Sequence, residues 1–165
     1  MANITFNGDR ISTRADLPPV GVSAPEFTLV NPDLEEISLS EHEGPVVLNI
    51  FPSLDTGVCA NSVRTFNERA ASLDGVTVIN ISRDLPFAQA RFCGAEGIEN
   101  VIVASDFRTT FGETYGVTMI DGPLQGLLSR AVVVLDANHK IVYTEQVPEI
   151  KQEPNYDAAL DALQK

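Results

Sequence analysis

Val46-Val47-Leu48-Asn49-Ile50-Phe51-Pro52-Ser53-Leu54-Asp55-Thr56-Gly57-Val58-Cys59 decides how the rest of this chain is read. Residues 46–51 form a nearly continuous apolar run of strand length. From Gly57 onward, Val63, Phe66, Ala70 and Leu73 fall at helical spacing. A buried strand that turns directly into a helix is the repeating half-unit of an α/β fold. The turn also places Cys59 in the first helical turn. There, N–H groups without intrahelical acceptors and the positive end of the helix dipole stabilise a thiolate. Thr56, three residues earlier, is read as the N-cap, its side chain accepting from the backbone N–H of residue 59. Cys59 is therefore the first candidate nucleophile.

Working outward, Ile4-Thr5-Phe6 and Arg10-Ile11-Ser12 flank Asn7-Gly8-Asp9, which predicts an N-terminal β-hairpin. Residues 17–27, with Pro18, Pro19 and Pro25, read as a surface connector. After the central βα unit, Val76–Ile81 is a second buried strand. Pro86 opens a helix that Gly94 is expected to close just after Cys93, and Val101–Ala104 is a further strand. A short helix is predicted near Thr109–Tyr115. Ala131–Leu135 and Lys140–Thr144 flank Asp136-Ala137-Asn138-His139 as a second hairpin, and a last helix starts around Asn155. Parallel units followed by a hairpin predict a mixed central sheet flanked by helices.

A chain of 165 residues, 44% hydrophobic and 21% charged, suits one domain spanning residues 1–165. With 11 basic against 23 acidic residues, a net charge of -12 and no Lys/Arg cluster, a nucleic-acid partner is not expected. No apolar stretch approaches the roughly 20 residues that cross a bilayer, so no membrane association is expected. The N-terminus shows no basic and apolar secretory pattern, which predicts a cytoplasmic protein. Two cysteines are too few for a disulfide scaffold, and His42 and His139 lie in loop-like contexts remote from either. A metal site or a Cys/His hydrolase is accordingly disfavoured. Asp55, beside the nucleophile, reads as a turn residue pointing elsewhere, because a carboxylate against a thiolate would oppose its ionisation.

Phe51 to Cys59 resembles the peroxidatic motif of peroxiredoxins, in the form used by the thiol peroxidases, the atypical two-cysteine subgroup. Asp84-Leu85-Pro86-Phe87-Ala88-Gln89-Ala90-Arg91-Phe92-Cys93-Gly94-Ala95-Glu96-Gly97-Ile98-Glu99-Asn100 is similar to the subgroup's resolving-cysteine region, and Gly122–Val132 to its active-site arginine segment. The resemblance covers nearly the whole chain and implies a thioredoxin-like fold. By it, Cys59 attacks a hydroperoxide and becomes a sulfenic acid, which Cys93 resolves as an intramolecular disulfide. Arg130, Thr56 and Pro52 complete the implied constellation. The guanidinium holds sulfur and peroxide oxygen together, the hydroxyl joins the same hydrogen-bond set, and the proline shields the thiolate without bringing an N–H.

The family further implies hydrogen peroxide and organic hydroperoxides as substrates, thioredoxin as reductant, a homodimer, and no haem, flavin or metal cofactor. Cys93, at a helix C-terminus, is the electrostatic opposite of Cys59, and Gly57 and Gly94 are the soft points for the motion that joins them. Asn61 and Arg83 depart from the subgroup pattern, Arg83 adding charge beside the resolving helix. Two other readings compete: a thioredoxin-like dithiol oxidoreductase or peroxide sensor, and a binding module with inert core cysteines. The first would favour a Cys-x-x-Cys sequence, and none is present.

Overall fold

In the computed structural model, which describes residues 1–164, a hairpin of β1 (Asn3–Phe6) and β2 (Asp9–Ser12) precedes a seven-stranded sheet. Asn7 and Gly8 both take positive φ, 54° and 84°, the geometry a two-residue turn needs to follow the strand twist. The sheet is built from β3 (Thr28–Val30), β4 (Glu36–Ser38), β5 (Val46–Ile50), β6 (Thr77–Ser82), β7 (Ile102–Ser105), β8 (Ala131–Leu135) and β9 (Ile141–Gln146). Its spatial order is β4-β3-β7-β6-β5-β8-β9. The pairs β5·β6 and β6·β7 are parallel, and β5·β8, β8·β9, β3·β4 and β3·β7 are antiparallel. The sheet is mixed, as expected, and the fold is thioredoxin-like.

Among the described residues four α-helices accompany it: α1 (Gly57–Ala70), α2 (Pro86–Glu96), α3 (Phe111–Thr114) and α4 (Tyr156–Asp161). The alternation of β5 assigns the layers. Val46, Leu48 and Ile50 pack into a cluster with Phe111 and Tyr115, while Val47 faces Phe66 of α1 and Ala159 of α4. Both faces are covered, which is why the central strands read as continuous apolar runs. Phe66 is completely buried and meets Tyr156 edge-on, ring centroids 5.2 Å apart, so α1 and α4 lock against each other. Truncating it to alanine would cost about 3–5 kcal/mol.

Residues 28–38 add β3 and β4, three-residue strands too short to carry a period-2 signal. Their turn is set by Asn31, whose side chain accepts from the N–H groups of Asp33 and Glu35. One expectation needs correction, since α2 is not closed by Gly94. It continues to Glu96 and ends at Gly97, whose φ of 65° is the left-handed conformation of a helix C-cap. Gly94 keeps helical geometry, so the break lies one turn beyond Cys93.

Candidate active site

The antiparallel pairing of β5 with β8 builds the site. Ile50 is opposite Ala131, so the chain leaving β5 as Phe51-Pro52 runs beside the chain entering β8 at Arg130. The turn 53–56 then reverses into α1. Its first helical bond runs from the Ala60 N–H to the Thr56 carbonyl, which leaves the N–H of Cys59 without an acceptor inside the helix. Beneath α1, Ser62 donates to the Cys59 carbonyl at 2.8 Å and accepts from Asn49 Nδ2 at 3.2 Å. Asn49 also donates to Asn80 Oδ1 at 2.8 Å. This buried polar chain fixes the first turn of α1 to the middle of the sheet.

Cys59 is fully buried, and Arg130 Nη2 donates to its Sγ at 3.1 Å. Arg130 is itself only 1% exposed. Its Nε donates to the Ile150 carbonyl at 2.8 Å, and its Nη1 has no hydrogen-bond partner. Among the described residues no carboxylate pairs with it. A buried cation without a carboxylate is rare, because the desolvation cost is met only by an opposite charge or a full set of acceptors. Among the described residues, the Ile150 carbonyl and the Cys59 sulfur are the two groups that accept from it.

Above them opens a cleft of about 280 Å³ lined by Pro52, Thr56, Val58 and Arg130 on one side. Phe6, Leu124, Leu127 and Ile150 supply most of the other wall. Pro52 is buried at this floor. Thr56 is the N-cap residue of α1 but makes no side-chain cap bond, contrary to expectation. Its Oγ1 instead donates to the Ser53 carbonyl at 3.0 Å, a bond that the tight 53–56 turn brings within closer reach than the N–H of residue 59. With its proton so engaged, the oxygen is left to the cleft as an acceptor.

Cys93 is half-buried in the last turns of α2, and burial pushes its thiol pKa up. Both cysteines are free thiols, and both border one apolar cluster with Phe51, Leu54, Val63 and Val103. Asp55 faces away from the sulfur and pairs with Arg91 at 3.4 Å, as expected of a turn residue. Arg83 turns its guanidinium toward the segment after β7. It donates to the Phe107 carbonyl at 3.1 Å and lies 4.0 Å from Asp106. Asn61 donates to Glu153, which also accepts from the Tyr156 hydroxyl.

The structure thus brings Pro52, Thr56 and Arg130 to one cleft, keeps Cys59 fully buried behind it on the Arg130 guanidinium, and sets Cys93 on a neighbouring helix. Sequence reasoning missed Asn49, Ser62, the hairpin's Phe6 and the Ile150 carbonyl. A polar residue inside each of two apolar strands, Asn49 and Asn80 in matching register, was the available signal for the buried chain. No sequence signal links Phe6 or Ile150 to the cleft, since only the docking of the hairpin and of the segment after β9 puts them there.

Comparison with known proteins is consistent across sequence and structure. The redoxin family model matches residues 19–160. A thiol peroxidase of Mycobacterium bovis is 62% identical over 164 residues, 99% of each chain. One of Corynebacterium glutamicum is 57% identical over the same share of both. The solved structure of a peroxiredoxin-like protein from Aquifex aeolicus, 41% identical, superposes with a TM-score of 0.91 over 98% of this chain and 95% of that one.

Proposed function

Since this chain belongs to the redoxin family, and within it to the thiol peroxidases, peroxiredoxin-type enzymes that reduce peroxides, we propose that Cys59 is the peroxide-reacting sulfur. The observation that carries this reading is the buried Arg130 guanidinium, unpaired with any described carboxylate, donating to Cys59 Sγ at the floor of a cleft. A hydroperoxide in the cleft would donate its O–H to Thr56 Oγ1 and accept from the free Nη1 of Arg130. The thiolate attacks the outer peroxide oxygen. An S–O bond forms as the O–O bond breaks, and sulfur loses the two electrons that reduce the peroxide. The leaving oxygen takes a proton and departs as alcohol or water. Charge grows on that oxygen in the transition state, and a fixed cation is most effective against developing charge in a water-poor pocket. Pro52 closes the floor without offering a competing donor.

Cys93 then attacks the Cys59 sulfenic acid, forming a disulfide within the chain and releasing water. Its raised pKa fits a thiol that stays protonated while packed and ionises once its segment leaves the apolar cluster. A thioredoxin-type dithiol returns both cysteines to thiols, a role suited to the cytoplasm. The apolar cleft wall favours organic hydroperoxides alongside hydrogen peroxide, and the working unit on this reading is a homodimer. The test is peroxide-dependent NADPH consumption coupled through thioredoxin and its reductase. Cys59→Ser is expected to abolish it. Cys93→Ser is expected to leave one equivalent of peroxide consumed per chain and no turnover, and undiminished turnover in either variant would refute the assignment of that cysteine.

A further inference from the structure

One carboxylate ties the turn that precedes α1 to the segment that precedes α2. Asp84 lies between β6 and α2, two residues before the proline that opens the Cys93 helix. Its Oδ1 accepts from Ser53 Oγ at 2.9 Å, and its Oδ2 from the Leu54 N–H at 2.8 Å and from Ser82 Oγ at 2.7 Å. Ser53 is the hub of the turn before α1. Its carbonyl accepts from the Thr56 N–H and hydroxyl, and its Oγ from the Asp55 N–H. Leu54 is buried in the cluster that holds Cys59. Asp84 therefore determines the conformation of the turn that places Cys59 under the cleft.

Through Ser82 the same network reaches only the first half of α2. On its N-terminal side, Pro86 and Gln89 are buried, and Gln89 Nε2 donates to Ser82 Oγ at 3.3 Å, joining the Asp84 network. Beyond Gln89 the helix buries no side chain completely. That half rests Phe92 and Cys93 on the apolar cluster and is tied to α1 at the surface by Arg64 donating twice to Glu96 at 2.9 Å, while just past the helix Asn67 accepts from the N–H groups of Glu99 and Asn100. Exposed ion pairs contribute about 0–1 kcal/mol, so this is the half that opens at low cost.

We propose that Asp84 is a positioning residue that keeps the Cys59 turn folded for reaction with peroxide and anchors α2, so that Cys93 is delivered by unwinding residues 90–96 alone. The proposal rests on the assignment of Cys59 and Cys93 made above. It separates the two chemical steps: the carboxylate acts on sulfenic acid formation, and the Arg64–Glu96 pair on disulfide closure. Asp84→Asn keeps the size but leaves one acceptor oxygen for three donors. Ser53→Ala removes one of those donors and leaves the carboxylate in place.

Both are made in a Cys93→Ser background, and sulfenic acid formation is timed by rapid acid quench and mass spectrometry, since the chain has no tryptophan to report it. D84N is expected to slow this step by about tenfold, the scale of a misplaced reacting group, and S53A by a smaller factor in the same direction. With Cys93 present, Glu96→Gln is expected to leave the peroxide step within about twofold, as a site outside the network should. The same variant should raise the share of disulfide over sulfinic acid at high peroxide. A purely structural role predicts a lower unfolding midpoint for D84N with the peroxide step unchanged, and that result overturns the proposal. So does an E96Q variant that slows the peroxide step as much as D84N. Absence of sulfenic acid in the Cys93→Ser chain with Asp84 intact would instead remove the Cys59 assignment, and this proposal with it.

Discussion

Replacing Arg130 is expected to separate activity from stability. The guanidinium makes two contacts, Nη2 to Cys59 Sγ at 3.1 Å and Nε to the Ile150 carbonyl at 2.8 Å, and leaves Nη1 unpartnered. Arg130→Gln removes the charge and both donors available to the reacting atoms. Losing one donor at an oxygen where charge develops costs about 2.7–4 kcal/mol, on the order of 10²–10³ in rate, so a loss near the upper end is expected. Arg130→Lys keeps the charge, but one ammonium cannot reach the Ile150 carbonyl, the sulfur and the peroxide together. Its expected loss is smaller, about 10². Stability should behave differently, because Arg130 is buried and no carboxylate offsets its desolvation. Removing such a cation relieves that penalty while losing its two hydrogen bonds, to the Ile150 carbonyl and to Cys59 Sγ, and the two effects oppose each other. The unfolding midpoint of R130Q is therefore expected within a few degrees of wild type. The rate is read by rapid-quench mass spectrometry in the Cys93→Ser background, and the midpoint by circular dichroism. An R130Q rate within about threefold of wild type would refute the reasoning, because a donor of this kind cannot be lost so cheaply.

Two other perturbations follow from the structure. Burial pushes the Asp106 carboxyl up from 3.8 to about 6, partly offset by Arg83 and by the Gly112 N–H. The native state therefore holds a proton that the unfolded chain has released between those values. Stability is lost as pH rises through that window, by about 3 kcal/mol for a shift of this size, and stays lost above it. Asp106→Asn should abolish that decline, seen as a wild-type minus variant difference in urea midpoints at pH 4.5 and pH 7, and parallel pH profiles would contradict it. In the cleft, Leu127→Gln should raise KM for cumene hydroperoxide by about tenfold, the scale of a lost apolar side-chain contact, with little change for hydrogen peroxide. Equal effects on both substrates would remove Leu127 from the substrate path.

The parts of this fold that could be read from the chain are those where one local pattern suffices. The run Val46–Ile50, the helix begun at Gly57 and the Asn7-Gly8 turn each have a complete physical cause within a few residues. The end of α2 was misread because Gly94 and Gly97 are chemically the same, and only the backbone shows which one takes positive φ. The cap at Thr56 was misread for a related reason. A threonine hydroxyl has two local options, and the Ser53 carbonyl, folded back by Asp84, draws its proton. Both errors lie where a tertiary contact selects between local solutions of similar energy.

The candidate site shows the same division more sharply. Cys59 is legible because its reactivity begins with its own helix turn, but Arg130 is an ordinary arginine until β5 and β8 pair antiparallel. That pairing is what a purely parallel α/β sheet would lack. A parallel neighbour of β5 would bring the end of another strand to the level of Phe51. An antiparallel one brings the residue before β8, on a segment free to carry Leu124 and Leu127 into the cleft wall. The mixed topology therefore joins two separate requirements. The parallel half supplies a helix N-terminus for the sulfur, and the antiparallel half supplies a buried cation with an apolar wall beside it. Reversing β8 would keep the first and lose the second, so the proposed chemistry depends on the arginine and the β8–β9 hairpin as much as on the cysteine.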